Sequence, residues 1–203
     1  MSSADNTIPV EAWNTILFEK FCRFRFVLTH GLRDHSDELL RRSPHESGAR
    51  VLDVGCGEGN WLAPLRRLRP RVTYTGVDAS EYAVARFGTR RNIRLGTIDA
   101  LDRVRLRKDY DLILCVGMLN YLEPPQLRSG LDQLYDRAHG LVYLELFTGS
   151  DRGVFGDTRG TRLRSAEWYR ARIRDARFVS CGLHCYVPDW LREHTAVMER
   201  CGR

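Results

Sequence analysis

The stretch Val51-Leu52-Asp53-Val54-Gly55-Cys56-Gly57-Glu58-Gly59 constrains the fold of this chain more than any other. A short apolar run ends in three glycines within five positions, and each glycine loses extra backbone entropy inside a helix or strand. Such a run belongs where the backbone turns sharply and something must come close to it. Asp53 is the odd residue. A carboxylate set in an otherwise apolar strand calls for a hydrogen-bond donor.

From Arg50 onward, apolar runs alternate with helical patterns. The strands are expected at Val51–Val54, Val72–Val77, Ile93–Leu95, Leu112–Val116 and Leu141–Phe147, with helices near Asn60–Leu68, Glu81–Phe87, Leu101 and Pro125–Ala138. Short, uninterrupted strands rich in Val, Leu and Ile, separated by helices, predict a doubly wound α/β fold. Its sheet would be mostly parallel with helices on both faces. Before it, Trp13, Ile16, Leu17, Phe21, Phe24, Val27 and Leu28 recur at helical spacing, so Glu11–Leu40 reads as a helix. With 203 residues the chain is expected to be one domain, a helical cap over 1–48 and an α/β core over 49–203. After the fifth strand, Gly149–Gly160 is polar and glycine-rich and reads as a functional lid or a disordered loop. Ser165 then caps a helix running to about Asp175, Phe178–Val187 reads as one final strand, and Trp190–Glu199 as a closing helix.

Composition narrows the partners. No apolar run reaches the roughly 18 residues of a membrane span, and the N-terminus lacks the basic start and apolar core of a signal peptide. The reading is a cytoplasmic protein with no membrane partner. The six cysteines show no CxxC spacing, so neither a zinc cage nor a disulfide framework is signalled and no metal is expected. Net charge is +6, yet only Lys20 and Lys108 are lysines among 32 basic residues. Thirty dispersed arginines interleaved with acids look more like coding bias than a phosphate-binding surface, which argues against nucleic acid.

The glycine run fits neither common nucleotide loop. A dinucleotide loop, G-x-G-x-x-G, would require glycine where Asn60 stands, and a phosphate loop would close on Gly-Lys-Ser/Thr. The pattern is D-x-G-x-G-x-G. Further on come Val77-Asp78-Ala79 at the end of the second strand and Ile98-Asp99-Ala100 after the third. Asp111 to Leu122 then covers the fourth strand and its turn. Together these resemble the class I S-adenosylmethionine-dependent methyltransferases over about Arg50 to Phe147. The resemblance implies that Gly55, Cys56 and Gly57 wrap the methionine end of the cofactor and that Asp53 meets its amino group. It further implies that Asp78, beside Ala79, accepts the ribose hydroxyls, and that Asp99 and the Ala100 amide read the adenine edge. Cys115 would lie near the reactive methyl. Each has a bland alternative: Asp78 and Asp99 as helix caps, Cys115 as core.

Methyl transfer needs a general base only if the acceptor keeps its proton. Tyr121, Glu145 and His184 are the candidates near the strand ends, with packing, loop capping and a structural histidine as their bland readings. The Asn/Asp-Pro-Pro-aromatic motif of exocyclic amine methylation is missing after the fourth strand, as are the clustered acids of the metal-dependent catechol type. What remains is a small-molecule acceptor with N-, O- or C-methylation open. An RNA or protein methyltransferase and a non-catalytic cofactor-binding module are the rivals. The family ends in two antiparallel strands, but only Phe178–Val187 reads as strand. The expectation is a pared-down acceptor side, or a further strand near Arg159–Arg164. Acceptor contacts would then come from Trp13, Phe18 and Phe21 of the cap, or from a second subunit in a homodimer.

Overall fold

A computed structural model describes residues 49–150 and 160–194. The expected helix Glu11–Leu40 with its aromatics, most of the expected lid and the end of the closing helix lie outside the described residues. Within them, β1 (Arg50–Val54) leads through the glycine loop to α1 (Leu62–Leu68). Then follow β2 (Thr73–Asp78), α2 (Glu81–Arg91), β3 (Ile93–Leu95) and a 3-10 segment at Ile98–Arg103. Next come β4 (Tyr110–Val116), a 3-10 turn at Leu119–Tyr121, α3 (Pro124–Tyr135) and β5 (Ala138–Glu145). The remainder is α4 (Ala166–Asp175), β6 (Phe178–Gly182), β7 (Cys185–Pro188) and a 3-10 segment at Asp189–His194.

Local chemistry sets several of these boundaries. Ser80 Oγ accepts from the Ala83 amide at 3.2 Å and starts α2, which ends at Asn92 in the left-handed region. In α3 a proline opens the first turn, while the Glu123 amide donates to Gln126 Oε1 at 3.0 Å as half of a reciprocal cap. Ser165 caps α4 through the Trp168 amide, as its sequence suggested.

The strands form one sheet in the order β3-β2-β1-β4-β5-β7-β6. Strands β1 to β5 pair in parallel, and β7 runs antiparallel to both β5 and β6. Strand order reverses between β1 and β4, where open α/β sheets bind ligands beyond their carboxyl ends. Alternation divides the core. Leu52, Val54, Ile113, Cys115 and Leu144 pack against Leu127 and Leu131 of α3 and Tyr169 and Ile173 of α4. On the opposite face Val51, Tyr74, Leu114 and Tyr143 meet Leu62 and Leu65 of α1 and Leu191. The expected doubly wound architecture is the one found. Among the described residues, no helix is long and apolar enough to cross a membrane.

The C-terminal strand count is a correction. Phe178–Val187 is not one strand but the hairpin β6–β7, closed by Leu183 and His184 at φ 52° and 63°. Both central residues are left-handed, as a type I′ turn demands, yet neither is the asparagine or glycine that would mark it. Residues 160–164 form no strand. The two antiparallel strands are present, so the sheet is not pared down on that side. Leu183 is 67% exposed and holds its left-handed φ at a steric cost of roughly 1–2 kcal/mol. Leu183→Asn should therefore stabilise the fold by about 0.5–1 kcal/mol. Thermal unfolding should register this as a rise of roughly 2–4 °C in Tm.

Candidate functional site

The site begins where β1 ends. The Gly55 and Cys56 amides both donate to the Val77 carbonyl, at 2.8 and 3.2 Å, which folds the loop back over the end of β2. Gly55 (φ 73°) cannot carry a side chain, since a Cβ there would come within 2.7 Å of Met118 Cγ. Gly57 is glycine for a different reason, its left-handed φ of 53°, since a Cβ would meet no described atom within 4 Å. The Gly57 amide donates to Asp78 Oδ2 at 2.6 Å, and the Ser80 amide to Asp78 Oδ1 at 2.8 Å.

Beneath the loop Asp53 is buried, 1% exposed, with Tyr74 Oη donating to its Oδ2 at 2.6 Å. Burial raises its carboxyl from an ordinary 3.8 to about 7, against the Tyr74 hydrogen bond, with the Asp78 charge adding to the rise. Cys56 turns its thiol toward β2, packs with Phe87 and Ile93, and burial pushes that thiol up. What Cys56 offers a ligand is therefore main chain. Cys115 lies fully buried in the core on the face opposite Asp53, its thiol also raised by burial. Its bland reading describes its side chain.

The remaining expected cofactor residues line the same carboxyl edge. Ala79 is exposed next to Asp78. Asp99 is half-buried, its carbonyl accepting from Ser129 Oγ at 3.1 Å. The Ala100 amide is already bonded to the Thr97 carbonyl at 3.1 Å, at a kink in the 3-10 segment. That leaves the Asp99 carboxylate as the better candidate of the two for an adenine edge.

On the other side of the switch point, β5 carries Tyr143 and Glu145 on the face that holds Asp53 and Tyr74. Glu145 is buried and accepts a hydrogen bond from Tyr143 Oη. Burial pushes the Tyr143 hydroxyl up, with the Glu145 hydrogen bond and charge adding to it. His184, exposed on the β6–β7 turn, sets its ring edge-on to Tyr143 at 6.0 Å between centroids. The structure thus brings Glu145 and His184 together through a tyrosine. Tyr121 is 45% exposed on the turn after β4.

Three polar residues escaped the sequence reading: Tyr74, Tyr143 and Asn120. The two tyrosines stand in strands two residues from a glycine or carboxylate, and this period of two was the available signal. Asn120 is fully buried and had none. Its Nδ2 donates to the Phe147 carbonyl at 2.6 Å and to Tyr169 Oη at 3.0 Å, and its Oδ1 accepts from the Phe147 amide at 2.9 Å. It locks the turn after β4 to the end of β5.

The family model of the methyltransferase domain matches residues 24–192. The chain belongs to the methyltransferase-domain family. The expected kinship with class I S-adenosylmethionine-dependent methyltransferases is thereby borne out. A malonyl-[acyl-carrier protein] O-methyltransferase of Bacillus cereus is 27% identical over 109 residues, covering 53% of this chain and 39% of that one. An uncharacterised Synechococcus protein is 33% identical over 118 residues, covering 52% of this chain and 28% of that one. The chain thus spans well under half the length of these curated relatives. Among solved structures, a SAM-dependent methyltransferase from Archaeoglobus fulgidus shares the fold at TM-score 0.55 and 22% identity, over 76% of this chain and 74% of that one.

In this methyltransferase domain, burial of the Asp53 carboxyl makes stability depend on pH. Because its folded pKa is raised, the native state keeps a proton that the unfolded chain has lost. Stability is full below about pH 4 and falls as pH rises to about 7, by on the order of 4 kcal/mol. Asp53→Asn should melt several degrees above wild type at about pH 8, with the gap closing near pH 4. Calorimetric scans at both pH values check this; equal melting at about pH 8 would refute it. The bland reading of Asp78 as the cap of α2 is not met: Ser80 caps that helix, and Asp78 instead ties the loop to β2. Asp78→Ala should therefore cost about 1–2 kcal/mol in unliganded stability. Urea unfolding of the variant measures it.

Proposed function

We propose that this chain binds S-adenosylmethionine at the carboxyl edge of β1 and β2 and transfers its methyl group to a small-molecule acceptor near the ends of β4 and β5. The observation that carries the reading is the pairing of an open glycine with a buried carboxylate. Gly57 leaves free space along its main chain, and Asp53 lies beneath the same loop with one hydrogen bond, from Tyr74, set against the burial that disfavours its charge. A compact zwitterion supplies what both lack, an ammonium for the carboxylate and a backbone-sized body for the gap.

In this reading Asp53 takes the ammonium, the Gly55–Gly57 backbone lies along the methionine chain, and Asp78 receives the ribose. Each Asp78 oxygen accepts one amide hydrogen and retains a lone pair for a hydroxyl. Asp99 faces the adenine. When bound, the cofactor supplies a methyl group already activated on a positively charged sulfur. The protein's share is then mostly alignment, which can contribute roughly 7–11 kcal/mol at its upper range. Glu145, held by Tyr143, is the base for an acceptor that keeps its proton, with His184 at the rim and Tyr121 on the facing turn.

The malonyl-[acyl-carrier protein] O-methyltransferase of Bacillus cereus, named for a malonyl group on a carrier protein, supports a small acceptor group. A reducing, cytoplasmic setting fits the described cysteines Cys56, Cys115, Cys181 and Cys185, all free thiols. The test is incubation with isotope-labelled S-adenosylmethionine and a metabolite panel, read by mass spectrometry for a gain of one methyl. Absence of labelled product and of S-adenosylhomocysteine would overturn the catalytic reading. Gly57→Val should abolish S-adenosylhomocysteine binding in calorimetric titration while the fold survives a strain of about 1–2 kcal/mol. Wild-type affinity in a folded variant would refute the placement.

A further inference from the structure

We infer that Tyr74 is a positioning residue for the cofactor, holding the Asp53 carboxylate charged and aimed at the ligand's ammonium. The inference rests on the proposed cofactor site and goes beyond it, because Tyr74 lies beneath the loop rather than in the expected ligand contact.

The geometry is specific. Tyr74 is buried on β2, the strand beside β1, and its hydroxyl reaches across to Asp53 Oδ2 at 2.6 Å. Space has been left for that hydroxyl. A Cβ on Gly59 or on Gly76 would lie 3.3 Å from Tyr74 Oη, so both positions open the slot it occupies. Tyr74 takes Oδ2, and among the described residues Oδ1 receives no hydrogen bond, so one oxygen is fixed and the other is available. The hydroxyl is also a durable donor: burial and the neighbouring Asp53 charge both push it upward, away from ionisation.

The groups facing Asp53 make the tyrosine's contribution distinctive. From the loop comes Cys56, from the end of β2 Asp78, and through the sheet from its opposite face Cys115, while Tyr143 and Glu145 of β5 share Asp53's face farther along the sheet. Both thiols are held neutral by burial, and Asp78 is a like charge that works against ionisation. Tyr74 is the neighbour that favours the charged form. A carboxylate in that position binds an ammonium only when ionised. Ligand affinity should therefore be full above the Asp53 midpoint of about 7 and fall below it, close to tenfold for each pH unit.

Removing the hydroxyl should move that midpoint upward, so the loss must depend on pH. Tyr74→Phe should bind S-adenosylhomocysteine about tenfold more weakly than wild type near pH 6.5, with the two converging toward pH 8.5. Calorimetric titration of the purified full chain across that range reads the effect, with circular dichroism confirming the fold. A purely structural role for Tyr74 would lower affinity by the same factor at every pH, and that result would overturn the inference. So would coincident wild-type and Tyr74→Phe profiles, while leaving the cofactor reading intact. Absence of wild-type binding at all pH values would overturn both. A second arm retains the ring and hydroxyl. Site-specific 3-fluorotyrosine at position 74, a stronger donor, should shift the midpoint downward and tighten binding near pH 6.5. An unchanged midpoint would count equally against the inference.

Discussion

The carboxyl edge of this sheet depends on how the chain leaves β1. Two successive amides, from Gly55 and Cys56, converge on the Val77 carbonyl at the end of the neighbouring strand. One acceptor thus turns the loop back over β2 instead of letting it run into solvent. Asp78 completes the tie from the other direction by accepting the Gly57 amide. The loop is bound to β2 at both levels, main chain and side chain, and Asp53 is sealed beneath it. Most of the free energy for such an arrangement comes from the apolar strands on either side. The polar bonds determine where the backbone goes.

A second fixed point lies across the switch. Asn120 and Tyr169 join the turn after β4, the end of β5 and the segment entering α4, where Tyr169 Oη donates to the Arg162 carbonyl at 3.0 Å. The Arg162 amide returns a bond to the Asn120 carbonyl at 2.7 Å. A buried network with every member satisfied behaves as one rigid unit. It holds Tyr121 and the end of β5 in a fixed relation. Arg164 reinforces the same corner, donating to the Leu122 carbonyl at 3.0 Å and stacking on Trp168 at 4.4 Å.

The site combines charges that a core would normally exclude. Asp53 and Glu145 are both buried carboxylates, on the same face of the sheet, and each accepts a tyrosine hydroxyl from its neighbourhood. An apolar environment makes such groups costly in the unliganded protein and strong toward a cation. This is the ordinary tension between a stable fold and a binding site. In the proposed reading it suits a cofactor that carries both an ammonium and a sulfonium.

The sequence by itself determined the layer order of the core. Uninterrupted Val/Leu/Ile strands alternating with helices leave few choices besides a parallel sheet covered on both faces, and glycine density after the first strand marks the ligand edge. These features are local or periodic, so they survive without knowledge of what packs against them. The hairpin at Leu183–His184 was not legible, because two left-handed residues of ordinary type are tolerated there only by the pairing of β6 with β7. Nor could Tyr74 and Asn120 be assigned, since each works through a partner on another strand or turn, 21 residues away for Tyr74 and Asp53 and 27 for Asn120 and Phe147. Only the tertiary structure decided those pairings. A buried donor takes whichever acceptor the packing brings within about 3 Å, and that choice belongs to the sheet register rather than to either residue.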